Sequence, residues 1–513
     1  MITRRQTVLG LSALFTPLPH MAVAQGEGEA VTPETLIEMA RARAGRPYRA
    51  RERVLAAPFD ALDYDSYRAV RPVSGKSAAL PLGTEFRADL LPPGWLFADP
   101  VQIALPGHET AFTSEIFSYD PALIELPDAM PDMSGMGFSG IRFQTPLNVA
   151  GQWDEVLVLQ GASYFRALAR DTVYGLSARA LSLGTGGPVP EEFPVTREIH
   201  VFSADDGLHF GCLIDSPRAS AALIATLTPG SVTRMRCALH LFPREVLGDA
   251  GIAPLTSMFQ HNASGPARID DFRPAVHDSD VLVIDNGAGE RLWRPLANPA
   301  SLQMSAFRDQ GPRGFGLVQV PTEFEAFRDA EGAYHRRPSA WVRPRGDWGQ
   351  GAVMLLEIPT ENEFSDNIVA FWRPEAPLGP GAHRFEYDLD WLAPGLGPLP
   401  VPEYAFMPAR TASGIEPNLA TGRLFVLDFE MSGGVQEGAL PLPEIGAVPG
   451  AEISGLALYP VQGAREKLRV SFVLTPEVGT NVAELRLTLR HHDGRLAAPV
   501  WLYRWTRTAG GGV

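Results

Sequence analysis

Between residues 251 and 372 the chain gathers carboxylates, arginines and large aromatics into one stretch. His277-Asp278-Ser279-Asp280 comes first, then Trp293-Arg294-Pro295-Leu296. Tyr334-His335-Arg336-Arg337-Pro338-Ser339-Ala340-Trp341-Val342 follows, then Gly346-Asp347-Trp348-Gly349. Glu357-Ile358-Pro359-Thr360-Glu361 and Asp366-Asn367-Ile368-Val369-Ala370-Phe371-Trp372 close the block. This mixture suits a sugar. Aromatic faces stack on the apolar face of a pyranose, and Asp, Glu, Asn and Arg take its hydroxyls in fixed geometry. Two carboxylic acids are also enough to cleave a glycosidic bond, one protonating the leaving oxygen and one activating water.

Each part also has a plainer reading. An Asp-rich turn such as 277–280 ordinarily bonds its own backbone N–H groups. Asp366-Asn367 before an apolar run is the usual start of a strand, and Trp341, Trp348 and Trp372 are ordinary core residues. His277 has no second ligand at a metal spacing. The 277–280 turn lacks the length and the glycine of a calcium loop. Gly161-Ala162-Ser163 lacks the second glycine of a nucleophile elbow. Neither a phosphate-binding loop nor a dinucleotide fingerprint is present. No metal or organic cofactor is implied. Composition and spacing alone stop at an exported β-protein of carbohydrate-active character.

The elements that must hold these residues are strands. The 513 residues include 50 Gly and 46 Pro, punctuation that suits short strands and turns rather than helical bundles. One helix is predicted over 32–44, with Thr32 as its cap and Glu34 in its first turn. Beyond it the pattern is period-two or short apolar runs, as in Glu155–Leu159, Ala221–Leu227, Val281–Ile284, Ala352–Ile358 and Leu468–Leu474. The Pro-rich run 392–402 reads as a stiff linker. It separates a large β-sandwich over 25–391 from about 110 residues, 403–513, of immunoglobulin-like size and strand spacing.

Charge bears on the partner and the leader on the compartment. A net charge of −15 argues against nucleic acid as a partner. Residues 1–24 read as a secretory signal: Arg4-Arg5, an apolar stretch from Val8 to Leu18, and Ala22-Val23-Ala24 as cleavage site. The paired arginines suggest the twin-arginine route, and the periplasm is the expected location. Cys212 and Cys237 fall on the first and third strands of a meander, too far apart for a disulfide, and read as buried thiols.

The same residues carry a family resemblance. Leu62-Asp63-Tyr64-Asp65-Ser66-Tyr67-Arg68, Gly137-Phe138-Ser139-Gly140-Ile141-Arg142 and Gly161-Ala162-Ser163-Tyr164-Phe165-Arg166-Ala167 belong to it. So do Tyr174-Gly175-Leu176-Ser177-Ala178-Arg179, Ala253-Pro254-Leu255-Thr256-Ser257-Met258-Phe259 and Arg273-Pro274-Ala275-Val276 running into 277–280. Together with the block to Trp372, this order of words resembles the osmoregulated periplasmic glucan biosynthesis proteins G and D. The arginine-pair leader resembles the D branch.

The resemblance implies an all-β protein with a large mutarotase-like sandwich and a small immunoglobulin-like domain. It implies a cleft for linear β-1,2-glucan and an inverting glycoside hydrolase or transglycosylase, which could also cyclise its product. By motif, Asp366 matches the general acid and Asp278 the general base, with Asp280 as the fallback. Tyr334 and Arg337 match substrate-binding residues, and Trp348 and Glu357 join the candidate sugar contacts. An inverting pair needs its carboxyls roughly 6.5 Å or more apart. Asp366 must hold a proton, which Glu361 or Glu363 nearby would favour. The competing expectation is a non-catalytic glucan-binding factor that serves an inner-membrane glucosyltransferase. Homodimers are plausible for such a family.

Overall fold

The computed structural model describes residues 31–73, 80–83, 85–202, 207–265, 270–394, 404–416, 422–431 and 440–507. The leader over 1–24 and residues 395–402 of the expected linker lie outside them. Leu392 itself ends the strand His383–Leu392, opposite Val232 and Ser339.

Alternating side chains build the strands as the sequence predicts. In Val232–Pro243 the alternate residues Met235, Cys237, Leu239 and Leu241 are buried, and Arg234 points outward. There it meets Asp390 on the neighbouring strand at 2.7 Å, a cross-strand ion pair. Among the described residues, thirteen strands form one sheet, running from Leu442–Ile445 to Gln102–Ala104. Eleven more form the facing sheet, with Ala250–Ser257 between Ser177–Arg179 and Ile368–Pro374 near its middle. The core lies between them. Phe143 on one sheet approaches Phe210 on the other at 6.2 Å, and Phe165 approaches Trp391 at 6.0 Å.

The larger sheet does not stop at residue 392. Val500–Thr506 pairs in parallel with Arg291–Pro295, through Leu292 opposite Val500 and Trp293 opposite Trp501. Leu442–Ile445 and Val482–Arg490 continue outward from it. A four-stranded sheet, Met407–Ile415, Arg423–Glu430, Ala464–Pro476 and Ala451–Val461, packs against these three. Their shared core also takes in Val283, Trp293 and Trp341 of the large sandwich.

Two short helices flank this frame. Pro33–Ala44 is capped by Thr32, whose hydroxyl accepts from the Thr35 N–H at 3.2 Å. Its Leu36 and Ala40 pack on Leu213, Ala222 and Phe242, the outer face of the larger sheet. The helix Tyr64–Ala69 is not anticipated by the period-two pattern; Asp63 and Ser66 fix it with a reciprocal capping box. Cys212 and Cys237 are free and buried, on strands separated by Ala219–Thr228.

Candidate functional site

The two acids of the sequence block are held from one short segment. Past Ser257 the chain turns, and Phe259–His261 pairs with Val276–His277. The Asp278 N–H then donates to the Met258 carbonyl at 2.8 Å. Asn367, next to Asp366, is buried and completes the other half. Its amide oxygen accepts from the Phe259 N–H at 2.8 Å, and its amide nitrogen donates to the Phe259 carbonyl at 2.9 Å. A second donation reaches the Ile358 carbonyl at 3.0 Å. Asn367 thereby acts as a strand residue in side-chain form. Consecutive residues, Met258 and Phe259, anchor both acids.

Asp278 is 5% exposed and lies under Arg337, whose Nη1 sits 2.8 Å from Oδ1. The two are close enough for an ion pair but are not aligned as a hydrogen bond. Burial pushes the Asp278 carboxyl up to about 6, and the charges of Asp366 and Glu363 push the same way. Arg337 and Arg166 pull it down, but burial wins. Asp366 is partly exposed and faces Arg166 at 3.6 Å. Arg166 stands on the strand Tyr164–Ala167. The four charges, two acids and two guanidiniums, therefore lie within one another's field.

Arg337 is set by its neighbours. It follows the single turn Tyr334–Arg336, which begins at Ala333 in the left-handed region. Its Nε and Nη2 donate to the Gly332 carbonyl at 3.2 and 2.9 Å, and its guanidinium lies 4.6 Å over the Tyr334 ring. Tyr334 is itself buried, and its hydroxyl donates to Glu363 at 3.1 Å. Its phenol is held well above its ordinary value by burial. Glu363 also binds Arg273 at 2.6 Å, and Arg273 reaches on to Asp271 and Asp329. Glu363 thus spends much of its charge on Arg273.

Behind Asp278 stands a polar wall. Buried Gln319 donates to the carbonyls of His277 and Tyr334 at 2.8 and 2.9 Å, tying the two loops together. Its amide oxygen meets His277 Nδ1 at 2.8 Å. The His277 ring stacks on Phe259, and burial holds its pKa down near 3, so it stays neutral. Asp280 faces this wall and not Asp278's side of the turn. It accepts from Asn262 at 2.6 Å and lies 3.6 Å from His277 Nε2, with burial raising its carboxyl to about 7.

Arg166 also lines a pocket of about 290 Å³ with Gln160, Tyr164, Phe97 and Leu96. Trp95 joins Tyr64, Tyr67 and Phe97 in an aromatic cluster at its rim, with ring centroids 5.4 to 5.9 Å apart. Trp95 is 37% exposed and Leu96 72%. On the turn before Asp366, Phe364 is 86% exposed. Apolar surface of this kind beside converging charges is a mark of ligand binding.

Of the expected site residues, the structure brings Asp278, Asp366, Arg337 and Tyr334 together. Three go elsewhere. Asp280 belongs to the wall, because neighbours two apart on this turn take different partners. Trp348 is a core residue: it packs on Trp372, Phe385 and Tyr387 and donates its indole N–H to the Glu386 carbonyl. Glu357 is buried at the end of its strand, paired with Arg294 at 2.9 Å and accepting from the Ala297 N–H at 2.7 Å. Arg166, Asn367, Gln319 and Arg273 are absent from the sequence-based set. Arg166 is visible within the Gly161–Ala167 word, but nothing in the word itself marks an arginine on a strand as a partner of Asp366.

Among the described residues, no helix is long and apolar enough to cross a membrane. The family model described as "Periplasmic glucan biosynthesis protein, MdoG" matches residues 32–505. A relative named Glucans biosynthesis protein G, from Vibrio cholerae serotype O1, is 41% identical over 484 residues, covering 92% of this chain and 86% of its own. Another of that name, from Shewanella sp. strain W3-18-1, is 41% identical over 481 residues with the same coverage. Glucans biosynthesis protein G 1 of Shewanella oneidensis is 40% identical over 487 residues, again at 92% and 86%. With its two acids, its sandwich and these matches over nearly all of its length, the chain belongs to the MdoG family of periplasmic glucan biosynthesis proteins.

Proposed function

We propose that the protein acts in the periplasm on linear β-1,2-glucan, as an inverting glycoside hydrolase or transglycosylase. Asp366 is the general acid and Asp278 the general base. The observation that supports this is the joint anchoring of Asp278 and Asp366 by Met258 and Phe259, with each acid in the other's field. Their environments differ: Asp278 is buried and Asp366 is open to the pocket side. Asp278 is buried under Arg337, positioned to take a proton from water or a sugar hydroxyl. Asp366 is more open, beside a pocket where a glycosidic oxygen can reach it. Trp95, Leu96 and Phe364 offer the apolar surface on which pyranose rings stack. Arg337 and Arg166 hold hydroxyls and keep the acids apart in charge.

The test is direct. Purified protein is incubated with linear β-1,2-glucan, and products are followed by chromatography for shorter or cyclic chains. Asp366→Asn keeps the shape but cannot donate a proton, so turnover should fall by roughly 10²–10⁴-fold while glucan binding survives. A wild-type protein that binds the glucan but never changes it is a binding or assembly factor, and the catalytic assignment fails.

A further inference from the structure

On the far face of the larger sheet, away from the two acids, arginines crowd the C-terminal end of the helix Pro33–Ala44. Six fall within residues 41–53: Arg41, Arg43, Arg46, Arg49, Arg51 and Arg53, against Glu52 alone. In a chain of net charge −15 such a run is out of character. Some have structural work. Arg41 and Arg43 sit in the last helical turn, where cations complement the dipole. Arg53 pairs with Asp99 at 2.7 Å. Arg244, from across the sheet, donates to the carbonyls of Arg43 and Arg46 and closes the helix end.

Arg46 and Arg49 have no such occupation. The guanidiniums of Arg46 and Arg49 are without a partner among the described residues and line a pocket of about 700 Å³ with Arg43 and Arg244. Asp215 is the acid in its wall, and it is already shared among Arg43, Arg197 and Arg244. Arg197 is 5% exposed, and its Nε makes no hydrogen bond. Arg51 alongside donates to the Pro100 carbonyl at 3.2 Å, and its guanidinium is pulled down by desolvation and by the charges of Arg197 and Arg43, against Glu198. Like charges gathered at a concave surface repel one another and attract an anion. Guanidinium forks match the paired oxygens of a phosphate.

We propose that this pocket is a binding site for a phosphate-bearing anion, seated between Arg43, Arg46 and Arg49. The chemistry is shared by a free phosphate and by the headgroup of an anionic lipid, and the helix lies on the outside of the sandwich where either can reach it. Arg46 and Arg49 carry the recognition; Arg244 holds the frame.

The experiment uses the mature chain and two probes. One is inorganic phosphate, followed by calorimetry or by amide NMR shifts. The other is phosphatidylcholine vesicles with and without a quarter of phosphatidylglycerol, followed by sedimentation at low and at physiological salt. The variant is Arg46→Gln with Arg49→Gln; both side chains are exposed, so the fold is untouched. The control is Arg495→Gln, an equally exposed arginine far along the chain that pairs with Asp493. Binding of either probe should weaken about 25-fold in the double variant, taking about fivefold for each arginine, and be unchanged in the control. Phosphate binding alone identifies a soluble anion as the ligand, and binding to the anionic vesicles identifies the headgroup. If neither probe binds, or if the double variant binds as the wild type does, the proposal is overturned.

Discussion

Asp278→Asn separates what the fold needs from what the reaction needs. The wild-type carboxyl is raised from 3.8 to about 6 by its burial, even with Arg337 2.8 Å away. That rise is worth roughly 3 kcal/mol of folding stability once the group is ionised. The sign follows from the direction. A carboxyl whose folded pKa is raised contributes nothing unfavourable below its unfolded value, and its cost grows as pH climbs through the folded one. Of the whole, about 2 kcal/mol develops between about pH 4.5 and pH 7.5. An amide at 278 has no such dependence. Arg337 loses its anion in the variant, but at low pH the wild type is in the same state, so that loss cancels in the comparison. Asp280 also titrates, but it is present in both proteins. Denaturant titrations of both proteins at the two pH values should therefore show the variant gaining about 2 kcal/mol on the wild type at the higher pH. Turnover of linear β-1,2-glucan should fall by at least about 10²-fold in the same variant, and the wild-type rate should decline as pH drops below about 6. A stability difference that does not change with pH, or that changes in the opposite direction, refutes the argument that Asp278 is held ionised against its burial.

Two further substitutions test the frame. Asn367→Leu strips the Phe259 N–H and carbonyl of their partners; it should cost about 2–4 kcal/mol and lower turnover more than glucan affinity, because it lets the two acids drift apart. Trp348→Ala should cost roughly 3–5 kcal/mol in unfolding while leaving glucan affinity as it is, because Trp348 packs on Trp372, Phe385 and Tyr387; loss of affinity in a stable protein would return it to the sugar site.

How much of this could be read from the sequence depended on how local the cause was. The strand Arg423–Glu430 is legible because alternation alone buries Phe425, Leu427 and Phe429. The helix at Pro33–Ala44 is legible from Thr32 and the apolar spacing. The helix Tyr64–Ala69 spans six residues, too few for a helical period to emerge, and only the Asp63–Ser66 box marks it. The pairing of Leu292 with Val500 has no local signature, since it joins segments that share nothing but their packing. For the same reason nothing local announces that one sheet takes strands from both sides of the expected linker. In the site, Asp278 and Asp366 stood out by type and by resemblance. The sequence could not say that Asp280 would turn to Asn262, or that Glu357 would be spent on Arg294. Buried carboxylates and cleft carboxylates look alike in a sequence, and only their partners tell them apart.

The wall behind Asp278 explains how a buried carboxylate can be kept where it is costly. Its retention needs neighbours that cannot relax to solvate it. His277 is clamped between Phe259 and Phe327, and Gln319 bolts it to the Tyr334 turn. Asp280 and Asn262 close the next layer. That layer is in turn gripped from the C-terminal strands. The Ser413 N–H donates to the Ala263 carbonyl at 3.0 Å, its hydroxyl bonds the Ser264 carbonyl, and Arg423 holds the hydroxyl at 2.9 Å. Those strands belong to the four-stranded sheet, which packs on the C-terminal part of the larger sheet, and the larger sheet runs from there into the large sandwich. The C-terminal strands therefore do more than extend the molecule. They complete the rigid backing of the acid that the proposed reaction uses as its base, and a site so backed can hold a carboxylate near the pH at which a base is most effective.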